Sequence, residues 1–201
     1  MRLKIIVLFV LILVIGSGCD SGPSLAPFEH NAVILAFGDS LTYGTGAPKG
    51  QSYPEVLAKL LGKTVINAGI PGEVSAAGLK RLPGELNKFK PSLVILCHGG
   101  NDFLRRLDLK KTKHNLEKMV ELIKSSGADI VLIGVPKLGF GLEVPNFYAS
   151  VAGEYKIPYE GNILVYLLTD NNMKSDSIHP NATGYRLIAE AMHEVIVNAQ
   201  K

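Results

Sequence analysis

The chain has 201 residues, 47% of them hydrophobic and 19% charged, with a formal net charge of +3. That length suits one sizeable core and is short for two domains. With no long basic block and no zinc-like cysteine set, composition gives no reason to expect nucleic acid.

Arg2 and Lys4 form a short basic segment before an apolar run from Ile5 to Ile15, and Gly16-Ser17-Gly18 place small residues before Cys19. The pattern predicts a cleaved export signal over residues 1–18. The apolar run is too short for a comfortable bilayer span. Small residues before a lone cysteine resemble the bacterial lipoprotein signal, which implies that Cys19 becomes the lipidated first residue. Ordinary secretory cleavage and an uncleaved anchor are the alternatives. Cleavage leaves 183 residues and removes two of the 21 basic side chains, leaving 19 against 18 acidic ones, so the basicity nearly vanishes. Residues 19–29 then read as a lipidated cysteine and tether, and residues 30–201 as one domain.

Within that domain, Val33–Phe37, Thr64–Asn67, Leu93–Cys97 and Ile130–Ile133 are short apolar or β-branched runs without clean alternation. Such runs predict parallel strands covered on both faces. Between them, Tyr53–Leu61, Ala76–Phe89 and Leu116–Ile123 carry apolar stripes at helical spacing, and Ala182–Val197 closes the domain as a further helix. Strand and helix alternate, so the expected fold is a three-layer α/β/α sandwich around a mostly parallel sheet of about five strands. The stretch 136–172 is less regular, with short helices expected around Tyr148–Tyr155 and Leu164–Leu168. Cys97 lies in an apolar run and reads as a buried, inert thiol.

Chemistry is concentrated in loops after strands, which converge at the carboxyl edge of a parallel sheet. Gly38-Asp39-Ser40 follows the first strand, Asn67 to Gly72 the second, and Gly99-Gly100-Asn101-Asp102 the third. Ser40 offers a hydroxyl that needs a base within about 2.6–3.2 Å. Asp176-Ser177-Ile178-His179 stands just before the last helix, so His179 can serve as that base while Asp176 orients its ring. Taken alone, Ser40 could cap a helix, Gly72 could be a turn glycine, and Asp176 and His179 could cap the last helix. Asn101, with the amides of Ser40 and Gly72, can supply an oxyanion hole. Asp39 and Asp102 are expected to brace these loops. His30, His98, His114 and His193 are scattered and read as structural or exposed. No spacing resembles a metal site, and no cofactor is expected.

These segments resemble the SGNH, or GDSL, hydrolase family, whose nucleophile, glycine, asparagine and acid–base blocks correspond to Gly38-Asp39-Ser40-Leu41, Gly72, Gly99–Asp102 and Asp176–His179. Val65–Ala68 and Leu79–Pro83 extend the likeness to its bacterial thioesterase, lysophospholipase and arylesterase branch. The resemblance implies a flavodoxin-like fold and a serine esterase acting through an acyl-enzyme on Ser40, on esters and on thioesters or lysophospholipids. The competing readings are an acetyl esterase for envelope or extracellular carbohydrate and a noncatalytic envelope-binding lipoprotein. Phe140, Phe147 and Tyr148 are candidates for an acyl groove, with packing in a satellite core as the alternative. The expected partners are an acyl ester or lipid-like substrate and a membrane reached through the N-terminal anchor. A monomer in the bacterial envelope, facing the periplasm or the exterior, completes the expectation.

Overall fold

The computed structural model describes residues 22–139 and 141–200. The expected signal, the Cys19 lipidation site and Phe140 lie outside the described residues.

Strand β1 (Val33–Gly38) runs into the short helix α1 (Ser40–Tyr43). Next come α2 (Tyr53–Leu61), β2 (Thr64–Gly69), α3 (Ser75–Phe89), β3 (Leu93–Cys97) and α4 (Gly100–Leu104). Helix α5 (Leu109–Ser125), β4 (Asp129–Ile133), α6 (Phe147–Tyr155), β5 (Tyr159–Glu160), α7 (Ile163–Thr169) and α8 (Ala182–Ala199) complete the chain. All strand pairs are parallel, in the order β2-β1-β3-β4-β5.

β1 and β3 are central, and every residue of β3 is buried. Their near-unbroken apolar sequences follow from that position, since helices cover both faces. Helices α2 and α8 pack together, as do α3 and α5. Leu57, Tyr185, Ile188 and Met192 come from the first pair, and Leu82, Leu116, Met119 and Val120 from the second; all join the central core.

Short local signals set the ends of these helices. Asp39 accepts from the Leu41 amide and opens α1. Asp108 accepts from the Lys110 amide, and Asn181 from the Gly184 amide, opening α5 and α8. In α2, the Ser52 hydroxyl and amide both donate to Glu55, closing a capping box.

The order of strands decides where chemistry is placed. From β1 the chain crosses outward to β2, then returns to β3 on the other side, so the connections leaving β1 and β3 diverge. A crevice opens at their carboxyl ends. Ser40 follows β1 and Asn101 follows β3, which puts both at that crevice.

Candidate active site

The loop before α8 approaches from the opposite side. Ser175 and His179 are bridged by a backbone hydrogen bond of 2.9 Å, and Asn181 donates to the Met173 carbonyl. Inside this turn Asp176 Oδ1 accepts the amides of Ile178 and His179, each at 2.8 Å. The carboxylate therefore shapes its own loop before it meets the imidazole. Gly46 lets the Ser40 side come close: its φ of +97° suits glycine, and a Cβ there would collide with Ser175 Oγ and the Pro180 carbonyl. Tyr185 on α8 donates its hydroxyl to the Thr45 carbonyl at 2.8 Å, fastening the same junction.

The result is a continuous relay. Asp176 Oδ2 lies 2.7 Å from His179 Nδ1, and His179 Nε2 lies 3.0 Å from Ser40 Oγ. With the carboxylate as acceptor, the imidazole proton sits on Nδ1 and Nε2 is free to take the serine proton. Burial works to raise the Asp176 pKa, but hydrogen bonds from the His179 ring and the amides of Ile178 and His179 outweigh it and hold the carboxyl below its ordinary range.

Asn101 stands on the other side of Ser40. Its Nδ2 donates to Asp39 Oδ2 at 3.0 Å and to the Glu73 carbonyl at 3.1 Å. Both partners are acceptors, which fixes the orientation of the amide. Asp39 is buried, and burial pushes its carboxyl pKa up. The hydrogen bonds from the Leu41 amide and the Asn101 side chain offset part of that rise. Gly72 adopts a φ of +78°, and among the described residues no hydrogen bond takes its amide or that of Ser40.

Asp102 serves the scaffold. It accepts from the Ser75 amide at 2.8 Å, the Ser75 hydroxyl at 2.6 Å and the Thr112 hydroxyl at 3.2 Å. It therefore caps α3 from outside and ties that helix to α5.

A second polar cluster, partly buried, lies under the Gly72 turn and was not legible as a unit in the sequence. Glu73 receives Arg81 through two nitrogens, at 3.0 and 2.7 Å, and its Oε2 lies 3.2 Å from Nε2 of the fully buried His98. The Gly99 amide donates to His98 Nδ1, so Nε2 carries the proton toward Glu73. Burial raises the Glu73 pKa, but the hydrogen bonds from His98 and Arg81 and the charge of Arg81 prevail and hold it at about 2. Arg81 also lies 4.2 Å over the Phe37 ring. The signal available in sequence was Glu73 eight residues before Arg81, a spacing with no local rule attached.

Beside Ser40 opens a cleft of about 240 Å³, with an apolar wall that includes Leu41, Phe103, Val135, Leu138, Leu168 and Ile178. The aromatic candidates for an acyl groove are placed elsewhere. Tyr148 is fully buried, donates its hydroxyl to the His98 carbonyl at 2.7 Å and stacks on Phe147. Both rings support Phe103 from behind, and neither lines the cleft. In this structure both rings pack against Phe103 and the core.

A Ser–His–Asp relay at the crevice of a doubly wound sheet, flanked by amide donors, defines a serine hydrolase. The profile of the GDSL-like Lipase/Acylhydrolase family matches residues 36–187, and the chain belongs to that family. It is 33% identical over 183 residues to an arylesterase of Vibrio mimicus, spanning 86% of this chain and 92% of that protein. It is 32% identical over 168 residues to thioesterase 1/protease 1/lysophospholipase L1 of Escherichia coli, spanning 79% and 80%. The crystal structure of TesA superposes with a TM-score of 0.74 at 28% identity, covering 83% of this chain and 99% of that one.

Proposed function

We propose that the protein is an esterase that hydrolyses carboxylic acyl esters through an acyl-enzyme on Ser40, with thioesters and lysophospholipids as further substrates. The observation that carries this reading is the Asp176–His179–Ser40 relay opening beside a cleft with an apolar wall.

His179 Nε2 takes the Ser40 proton as Oγ attacks the acyl carbon. The amides of Ser40 and Gly72 and the Asn101 side chain receive the oxyanion. Both Nδ2 hydrogens of Asn101 are already engaged, so the Glu73 carbonyl must share or yield one as charge develops. His179 then returns its proton to the departing alcohol or thiol. Water, activated by the same ring, releases the acid and restores Ser40. Asp176 holds the ring and stabilises its cationic form; Asp39 and Asp102 hold the loops.

The apolar wall favours an acyl chain over a bare acetyl group on a sugar. The cleft lies just below the roughly 300–1,000 Å³ usual for drug-sized ligands, so acyl groups of short to medium length fit it best. The arylesterase and thioesterase relatives support the same substrate class. The sequence pattern of residues 1–29 supports export and anchoring through a lipidated Cys19, which would hold the enzyme at the bacterial envelope. Among the described residues no helix is long and apolar enough to cross a membrane.

Hydrolysis of p-nitrophenyl esters from acetate to palmitate, with Ser40→Ala alongside, tests the reading. An optimum between butanoate and octanoate that Ser40→Ala abolishes is expected. An acetate-only profile would favour the carbohydrate acetyl esterase, and equal rates for both proteins would refute the site.

A further inference from the structure

The rim of the cleft exposes apolar side chains that the fold does not need. Leu104, Leu107 and Leu109 are 48%, 43% and 39% exposed, within eight consecutive exposed residues from 104 to 111. Ile70 after β2 and Tyr43 after β1 are 42% and 57% exposed and come from the same carboxyl edge of the sheet. The segments are linked: Arg105 donates to the Gly72 carbonyl at 2.7 Å, and Asn67 donates to the Tyr43 carbonyl at 3.2 Å. Leu104 also lines the cleft, so the rim is continuous with the catalytic opening.

Charge distinguishes this rim from a chance set of leucines. Arg105, Arg106, Lys110, Lys111 and Lys113 fall within nine residues against one acid, Asp108, which is spent capping α5. The side chains of Arg106, Lys110 and Lys111 make no hydrogen bond or ion pair among the described residues. Lysines in the first turn of a helix oppose the macrodipole, and the first turn of α5 holds no acidic residue. Arg106 also takes a left-handed backbone, φ +54°, in a non-glycine residue at the mouth of the cleft. Helix stability alone would select other residues at these positions.

We infer that this rim is a docking surface for an anionic lipid bilayer, with Leu107 and its apolar neighbours entering the interface and Arg106, Lys110 and Lys111 meeting lipid phosphates. Apolar side chains interleaved with cations are the composition that binds such surfaces. Each cation near the surface strengthens partitioning about fivefold, so three contribute about a hundredfold. Docked this way, Ser40 faces the membrane. The surface is independent of the reaction assigned to Ser40.

The chain contains no tryptophan, so one introduced at Leu107 is an unambiguous probe. Leu107→Trp in the full chain is mixed with phosphatidylglycerol or phosphatidylcholine vesicles and its emission is followed. Leu60→Trp, at the end of α2 on the opposite edge of the sheet, is the control and reports any tethering through the N-terminus alone. A blue shift for Leu107→Trp confined to phosphatidylglycerol, absent for Leu60→Trp, is expected. Adding R106Q, K110Q and K111Q should raise the lipid concentration at half-maximal shift about a hundredfold. No shift, an equal shift in both lipids, or an equal shift of the control would overturn the proposal. So would a shift that appears with protein concentration before vesicles are added, which would assign the rim to a second copy of the chain. Hydrolysis is not the readout, so failure here leaves the esterase reading intact.

Discussion

Asn101→Ala separates a catalytic donor from a loop brace, because the two roles give different magnitudes. The amide donates at 3.0 Å to Asp39 and at 3.1 Å to Glu73. Losing one oxyanion donor costs about 10²- to 10³-fold in rate, roughly 2.7–4 kcal/mol. Losing the contact to Asp39 costs about 1.5–3 kcal/mol of stability, since the carboxylate is 2% exposed and retains only the Leu41 amide. At about 2–4 °C per kcal/mol for a domain of this size, Tm should fall by about 3–12 °C. The assay is kcat and KM for p-nitrophenyl butanoate at 20 °C, where the variant is still folded, with Tm from calorimetry. The expected result is a kcat loss of at least a hundredfold with KM nearly unchanged. A kcat within tenfold of wild type, or a loss confined to KM, would refute the donor role and leave Asn101 as a brace.

Asp176→Asn places an amide donor against His179 Nδ1, turning the ring to the wrong tautomer, and should lower kcat by about 10³- to 10⁴-fold at pH 7 with little change in Tm; steady-state kinetics check it. Glu73 is held at about 2 against an ordinary 4.5, so it contributes stability above pH 4.5 that is lost as pH falls toward 2. Glu73→Gln should therefore be less stable at pH 7 yet lose less stability between pH 4.5 and 2.5, as read from Tm against pH. Two glycines of α3 should respond oppositely. A Cβ at Gly78 would meet the His98 ring, so Gly78→Ala should cost about 1–3 kcal/mol. Gly84 has open space around it, so Gly84→Ala should add up to about 1 kcal/mol; urea midpoints distinguish them.

Much of this molecule was legible in its sequence because the relevant signals are local. Leu93–Cys97 is the third strand to the residue and Tyr53–Leu61 the second helix, since each is an uninterrupted pattern that starts just after a Ser and ends within two residues of a Gly. Helix α5 begins at Leu109, well before the Leu116 expected, because its basic first turns carry no apolar stripe and only the Asp108 cap marks the start. Strand β5 has two residues, Tyr159 and Glu160, too few for any periodicity, and pairs only because β4 lies beside it. In the site, Ser40, Asn101, Asp176 and His179 stood out as polar residues following strands or preceding the last helix. The Glu73–His98–Arg81 cluster did not, since its members meet only through the packing of α3 against the end of β3. The cleft wall was not legible for a similar reason: Phe103 lines it through long-range packing, with the buried Tyr148 set edge-on against its ring.

The proposed reaction stands on acylation of Ser40 with His179 as its base. Treating the protein with a p-nitrophenyl alkylphosphonate, which traps an activated serine, and mapping the adduct by mass spectrometry tests this most directly. One adduct per chain on Ser40 is expected, lost in Ser40→Ala and slowed at least a thousandfold in His179→Ala. Labelling of another residue, or equal labelling of the Ser40→Ala protein, would contradict it.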